Sequence, residues 1–344
     1  MRRARGDGRV LVVAWDRFQP RSVALAAALG GEVRHIRGDW PGRHPALLPL
    51  RYLADAVRMW RALRREQPDV LLVVSPPIGP PIVGWLWCRL HRCRLVVDCH
   101  TSAFHLWKWR WTVPIHRLIF ARCAAVLVHT EADDAQVRGW GFQPILLPDD
   151  LPDTSQAGPP PPAAAGPRVA VAGSFAWDEP VAATLEAARL LPDVEFRLTG
   201  NLARLGQGVQ SNAPANATFT GYLAYPQFLG ELVGANAVAV FTTDPNIMNR
   251  AAFETIGLGR PLILSDLAQL RTRFTGGALF CANDPAAMAA AIRQALAEEA
   301  GLAGRSRAMQ GRLRDQRDGA LTELRQRLEL TPSPAPAIPD ASVA

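Results

Sequence analysis

Asn246-Ile-Met-Asn249-Arg250-Ala-Ala-Phe-Glu254-Thr-Ile-Gly257-Leu-Gly259-Arg260-Pro261-Leu-Ile-Leu-Ser265-Asp266 reads as a polar loop, a short helix, a glycine turn and a buried strand. Asn249 suits the N-cap position, Gly257 and Gly259 end the helix, and the apolar run opened by Pro261 is too short to be anything but a strand. The layout aims the helix N-terminus and the Glu254 side chain into one crevice. Free amides at a helix start suit phosphate, and a carboxylate one turn in accepts hydrogen bonds from ribose hydroxyls, so the segment is a candidate nucleotide-diphosphate clamp. The same residues also fit an ordinary αβ connection whose Glu lies on a solvated face.

Working outward, the pattern repeats. Strands are expected at Val10 to Ala14, Val70 to Val74, Leu95 to Asp98 and Ala125 to His129, with helices at Ser22 to Leu29, Leu53 to Arg65, Ile82 to Leu90 and Ile115 to Cys123. Near-continuously apolar strands alternating with helices imply a parallel sheet covered on both faces. A stretch from Pro148 to Arg168, dominated by Pro, Ala and Gly, has no periodicity and is expected to be a linker. A second alternating unit follows, with strands at Val169 to Ala172, Glu195 to Thr199, Ala217 to Thr220, Ala237 to Phe241, Leu262 to Ser265 and Ala278 to Phe280. The fold class is therefore α/β: two Rossmann-like doubly wound domains, residues 1–147 and 169–330, joined by a linker at 148–168 and followed by a disordered tail at 331–344. Such units bind ligands at their strand ends, and the two are expected to face a common cleft.

Composition excludes several classes. The 344 residues carry a net charge of +7, almost entirely from Arg, since Lys108 is the only lysine. The basic residues are scattered and no nucleic-acid-binding signature occurs, so no nucleic-acid partner is expected; an anionic substrate or membrane surface fits better. Cys88, Cys93, Cys99, Cys123 and Cys281 are odd in number and mostly sit in apolar segments, as reduced core residues do. Cys88, His91, Cys93, Cys99 and His100 match no usual zinc spacing, and no metal is expected. No apolar signal core and no membrane-length span is present, so a cytoplasmic protein is expected. Gly-x-Gly-x-x-Gly, Walker, His-Glu-x-x-His and Gly-x-Ser-x-Gly motifs are all missing.

The segment around Glu254 resembles the donor-binding signature of GT-B glycosyltransferases related to family four. There a Glu, seven intervening residues and a second Glu precede a Gly-x-Pro-hydrophobic strand. Glu254 falls on the second Glu, Gly259-Arg260-Pro261 on the turn, and Asn246 stands in place of the first Glu. The resemblance implies a GT-B fold and transfer of a sugar from a nucleotide-sugar donor to a glycan or polyprenyl-linked acceptor. It implies retention of configuration and requires no cofactor. A nucleotide-sugar epimerase on the same fold and a catalytically idle nucleotide-sugar-binding scaffold are the alternatives.

Further candidates lie at strand ends. Gly173-Ser174-Phe175-Ala-Trp177-Asp178-Glu179-Pro180 follows a strand, so Ser174 and the loop amides suit a pyrophosphate, although Asp178-Glu-Pro equally suits a helix start. The family usually brings an Arg and a Lys to the diphosphate from this loop; here the charge would come from the helix at Asn249, Arg250 or Arg21. Asn201 and Tyr222, after the next two strands, are pocket candidates, whereas Thr220 suits an ordinary turn. Arg21, at a helix start that favours anions, makes sense beside a bound anion or as a solvated residue. The resemblance places His100 near the transferred sugar; a hydrogen-bonded histidine is the competing view. Thr130 reads as a helix cap. Trp107-Lys108-Trp109-Arg110-Trp111, with Trp85 and Trp87, suits either peripheral membrane contact, on the inner face of the plasma membrane, or a buried aromatic cluster.

Overall fold

The computed structural model describes residues 8–37, 47–163 and 165–330; the expected tail at 331–344 lies outside the described residues. The chain divides into two compact units, Met1–Pro148 with Gln316–Ala344, and Asp149–Asp315.

The first unit carries six parallel strands, β1 (Val10–Ala14), β2 (Glu32–His35), β3 (Val70–Ser75), β4 (Arg94–Cys99), β5 (Ala125–Val128) and β6 (Ile145–Leu146), in the order β2-β1-β3-β4-β5-β6. Between them run α1 (Pro20–Ala28), α2 (Leu48–Glu66), α3 (Gly79–Leu90), α4 (Ser102–His105), α5 (Trp107–Arg110), α6 (Val113–Phe120) and α7 (Glu131–Gly139). Strand side chains alternate faces. Leu11, Val13, Leu71, Val73, Leu95 and Val97 pack with Met59, Leu63, Trp87 and Ile119, while Val10, Val12, Val70, Leu72 and Val96 pack with Leu25, Leu321 and Leu324. Both faces are dry, which is why these strands read as unbroken apolar runs.

The second unit repeats the plan with β7 (Arg168–Val171), β8 (Glu195–Thr199), β9 (Ala217–Gly221), β10 (Ala237–Val240), β11 (Leu262–Ser265) and β12 (Ala278–Cys281), ordered β12-β11-β10-β7-β8-β9 and again all parallel. Its helices are α8 (Val181–Arg189), α9 (Tyr225–Val233), α10 (Arg250–Gly257), α11 (Ala268–Phe274) and α12 (Pro285–Ala297), with the first part of α13 (Glu299–Arg327), whose residues from Gln316 onward belong to the first unit. The strand order reverses between β7 and β10, and the crevice outside their C-terminal ends is where doubly wound sheets bind ligands. Met309 and Leu313 of α13 enter this unit's core, and Ala320, Leu321 and Leu324 enter that of the first.

Some elements depart from the sequence expectation. β2 escapes a hydrophobicity reading because it is an edge strand, half-exposed at every other residue, and β6 is only two residues long. The Pro-rich stretch is laid against the second unit: Gly158 donates its amide to the Pro226 carbonyl at 2.8 Å, and Arg168 donates to the carbonyls of Pro161 and Pro162. Among the described residues no helix is long and apolar enough to cross a membrane.

Candidate functional site

In the second unit, the chain leaving β7 makes a tight loop. Phe175 takes a left-handed conformation, φ 55°, and the amides of Ser174 and Phe175 turn to one point. That point holds the Glu179 carboxylate, which accepts from Ser174 N at 2.9 and 3.0 Å, from Phe175 N at 2.7 Å and from Ser174 Oγ at 3.1 Å. A Cβ at Gly173 would come within 2.5 Å of Glu179 Oε2, so the carboxylate sits directly against the Gly173 backbone and a side chain there would push it aside. Asp178 takes a different course. Its carboxylate accepts from Thr242 Oγ1 at 2.5 Å and its carbonyl from Thr243 N at 2.7 Å, tying the loop to the end of β10 across the switch point. Asp178-Glu-Pro is thus more than a helix start, and Pro180, the N-cap residue of α8, makes no side-chain cap.

After β8, Asn201 Oδ1 accepts from Ala203 N at 3.1 Å and caps a single 3-10 turn, Leu202–Arg204. The turn presents Arg204, whose Nη1 donates to Ser174 Oγ at 3.4 Å. Tyr222 follows β9 and is 85% exposed. Together Gly173, Ser174, Thr199, Asn201, Arg204, Tyr222, Tyr225 and Phe228 line a pocket of about 290 Å³ at the C-terminal ends of β7, β8 and β9. Ser174, Asn201 and Tyr222, expected from sequence as separate candidates, are brought together here. Arg204 and Tyr225 were not foreseen; the only sequence signal for Arg204 is its place three residues after an Asn that ends a strand.

Tyr225 links the pocket to Glu254. Its hydroxyl feels the charges of both Glu254 and Arg250. Burial and the Glu254 charge push this hydroxyl up to about 12, against the opposing effect of Arg250. Glu254 is buried in α10 and accepts from Arg250 Nε at 3.1 Å. Burial raises its carboxyl above the ordinary value, as does Asp149, although Arg250 and Tyr225 oppose the shift. Arg250 also reaches Asp150 at 3.3 Å. Burial would lower its pKa, but Asp150, Glu254 and Asp149 outweigh that and raise it. The cation expected to meet a diphosphate is therefore matched by carboxylates of its own unit.

Asn249 occupies the N-cap position of α10 but makes no cap bond, and its buried Oδ1 has no hydrogen-bond partner among the described residues. Asn246 is steadied by Asp244, whose Oδ1 accepts from the Asn246 amide at 2.8 Å and from its side chain at 3.2 Å.

In the first unit, Arg21 is only 3% exposed and grips Asp98 with two bonds, Nε to Oδ2 at 3.0 Å and Nη2 to Oδ1 at 3.1 Å. Its remaining donors reach the Leu147 and Pro148 carbonyls. The anion at this helix start is thus Asp98. Burial alone would raise the Asp98 pKa, but Arg21, His129 and His100 hold it well below the usual carboxylate range. His129 Nε2 lies 3.2 Å from Asp98 Oδ1. His100 Nε2 lies 3.9 Å from Oδ2 and 3.1 Å from Gln19 Nε2, with its ring 4.1 Å from that of His129. Asp98, His100 and His129 each bring a ligand atom within 4.8 Å of the others. A cation there would stand against the guanidinium that already holds both Asp98 oxygens.

Thr130 caps α7, its Oγ1 accepting from Asp133 N at 3.1 Å. Of the tryptophans, Trp87 is core, Trp85 carries Arg89 on its face at 5.2 Å, and Trp107 and Trp111 are exposed. All five cysteines are free thiols.

Two family models match the chain, one described as "Glycosyl transferase 4-like domain" over residues 1–147 and one as "Glycosyl transferases group 1" over residues 166–298. No curated protein sequence matches. Among solved structures, a sucrose-phosphate synthase from Thermosynechococcus elongatus superposes with TM-score 0.72 at 15% identity, over 92% of this chain and 98% of the other. Anabaena HepE, crystallised with UDP and glucose, gives 0.69 at 12% identity over 93% and 99%. A glycosyltransferase from Rickettsia africae gives 0.66 at 10% over 94% and 98%. At these identities the likeness concerns the fold.

Proposed function

Because the chain belongs to the group 1 glycosyltransferases and is built on the GT-B fold, we propose that it transfers a sugar from a nucleotide-diphosphate-sugar donor to a glycan or lipid-linked acceptor. The observation that carries this reading is the pocket beside β7, β8 and β9, joined through Tyr225 to the buried Glu254. Tyr222 and Tyr225 offer rings for a base, Ser174 and Arg204 offer donors for phosphate, and Glu254 offers an acceptor for ribose hydroxyls. The HepE structures hold UDP or UDP-glucose, and a donor of that class fits these groups. The leaving diphosphate is stabilised by fixed donors and arginine charge, without a metal and with retention of configuration. Within the first unit, His100, over the ionised Asp98, is the candidate for contact with substrate.

Binding and diphosphate release across a panel of nucleotide sugars test this directly, with wild type compared to Glu254→Ala. A donor that raises the melting temperature of the wild type only, with acceptor-dependent release, supports the transferase. Donor consumed without acceptor indicates an epimerase, and no binding by any donor overturns the reading. Glu179, seated on the loop amides, favours one other outcome, a scaffold that binds a donor without turnover.

We place the acceptor at a lipid surface, in envelope or exopolysaccharide synthesis. Trp107 and Trp111 stand exposed beside the exposed Lys108 and Arg110, as rings and cations do at an anionic headgroup layer. Sedimentation with anionic vesicles should carry the wild type down at low salt and lose the Trp107→Ala/Trp111→Ala variant. Equal behaviour of the two removes the lipid assignment.

A further inference from the structure

We propose that Arg204 supplies the charge that recognises the donor's diphosphate, and that Glu179 is an internal anion which the diphosphate displaces from the amides of Ser174 and Phe175. This rests on the nucleotide-sugar reading above.

The charge balance of the second unit leads to Arg204. The loop from Gly173 to Pro180 contains no basic residue. Arg250 stands against Asp150 and Glu254. Arg204 is the only basic residue among the described residues that line the pocket. It is exposed, makes no ion pair among the described residues, and donates to the neutral Ser174 hydroxyl at 3.4 Å. A guanidinium on a short capped turn offers paired donors of the geometry that phosphate oxygens accept.

Glu179 marks where the anion goes. Two successive backbone amides and one hydroxyl converge on its carboxylate, an arrangement that binds anions because the amide dipoles add. Ser174 Oγ is common to both partners, donating to Glu179 Oε1 and accepting from Arg204 Nη1. A phosphate that replaced the carboxylate would keep the three loop donors and gain Arg204 as a fourth partner. While Glu179 stays, a dianion arriving at Arg204 meets a like charge one hydroxyl away. The two residues therefore act with opposite sign on diphosphate affinity and leave the base and ribose contacts untouched.

The test measures binding of UDP, GDP, ADP and dTDP, with their nucleosides, to the full chain. Arg204→Gln should weaken the tightest-binding diphosphate about tenfold to a hundredfold, the scale of a charged hydrogen bond. Its nucleoside should shift by no more than about twofold, within which no charge contact has been lost, and Arg204→Lys should recover part of the diphosphate loss. Glu179→Gln should tighten diphosphate binding by about tenfold, since it removes one like charge. A diphosphate affinity unmoved by Arg204→Gln, or a loss shared equally by the nucleoside, overturns the role of Arg204 alone. Weaker binding by Glu179→Gln overturns the displacement. No binding by any of the four diphosphates overturns the nucleotide-sugar reading and this inference with it.

Discussion

Arg21 in the first unit and Arg204 in the second hold comparable stations, each in the first turn of the element that follows a parallel strand, and they meet opposite surroundings. Arg21 is buried, with its donors on the Asp98 carboxylate and on two backbone carbonyls. Arg204 is exposed at the rim of a pocket and touches one neutral hydroxyl. A buried cation survives only with its charge and hydrogen bonds matched from within. A cation can stay without a carboxylate partner where water solvates it until a ligand arrives. Closed networks therefore mark stability and open donors mark binding, and the contrast separates arginines that a sequence presents as equivalent.

The largest effect expected from this contrast is on folding. Arg21→Met strands the Asp98 charge, which is fully buried, and should cost about 3–5 kcal/mol of stability. The urea midpoint of the first unit's unfolding reads it. Because the Asp98 carboxyl is held below its ordinary value, its contribution is complete above about pH 4 and fades as the pH falls through the lowered value. The variant should lose that acid-dependent part. Unchanged stability together with weakened substrate binding would break the comparison and return Arg21 to the anion site.

Glu254 should show the reverse signature. Its carboxyl is raised, chiefly by burial and further by Asp149, so its charged form costs stability at pH values above the ordinary carboxylate range, and that cost vanishes in acid. Glu254→Gln should hold or raise the unfolding midpoint at neutral pH, while Asp150 continues to partner Arg250. Donor binding should weaken about tenfold to a hundredfold, as expected for losing a charged hydrogen bond to ribose. A variant that unfolds easily but binds normally would place Glu254 with the closed networks.

Much of the architecture was legible in the sequence because strands dry on both faces leave unbroken apolar runs, as at Val70-Leu-Leu-Val-Val74 and Leu262-Ile-Leu-Ser265. β2 stayed hidden, since an edge strand has one partner and keeps polar residues on its open side. The candidate site was legible only where a strand end announces itself, at Ser174, Asn201 and Tyr222. Charge balance was not, because it depends on contacts distant in sequence. Asp98 lies 77 residues from Arg21, and Asp150 lies 100 residues from Arg250. Glu179, five residues from Ser174, is near in sequence, but its direction follows from the left-handed turn at Phe175, which no residue preference signals.

The last expected effect is confined to the pH range between the ordinary histidine value and about 4, and it tests whether the closed networks of the first unit carry that unit's acid sensitivity. His116 is buried, its Nδ1 facing the Thr112 carbonyl at 3.1 Å and its Nε2 meeting Ser75 Oγ at 2.7 Å. Burial lowers its pKa from 6.5 to about 4, against a smaller opposing effect of the Thr112 carbonyl. The folded unit thus keeps a neutral imidazole, with Ser75 donating to Nε2, across a range where the unfolded chain takes up a proton. Acidification through that range favours the unfolded state, by at most about 1.4 kcal/mol per pH unit for one proton. Below the folded value both states are protonated and the loss stops. Urea midpoints at about pH 7.5 and about pH 4.5 should separate by less in His116→Gln than in wild type, whatever the absolute cost of the substitution. The Asp98 effect enters only at lower pH, so the two are resolved on one titration. Equal slopes in the two proteins would assign the acid sensitivity to groups outside this buried pair.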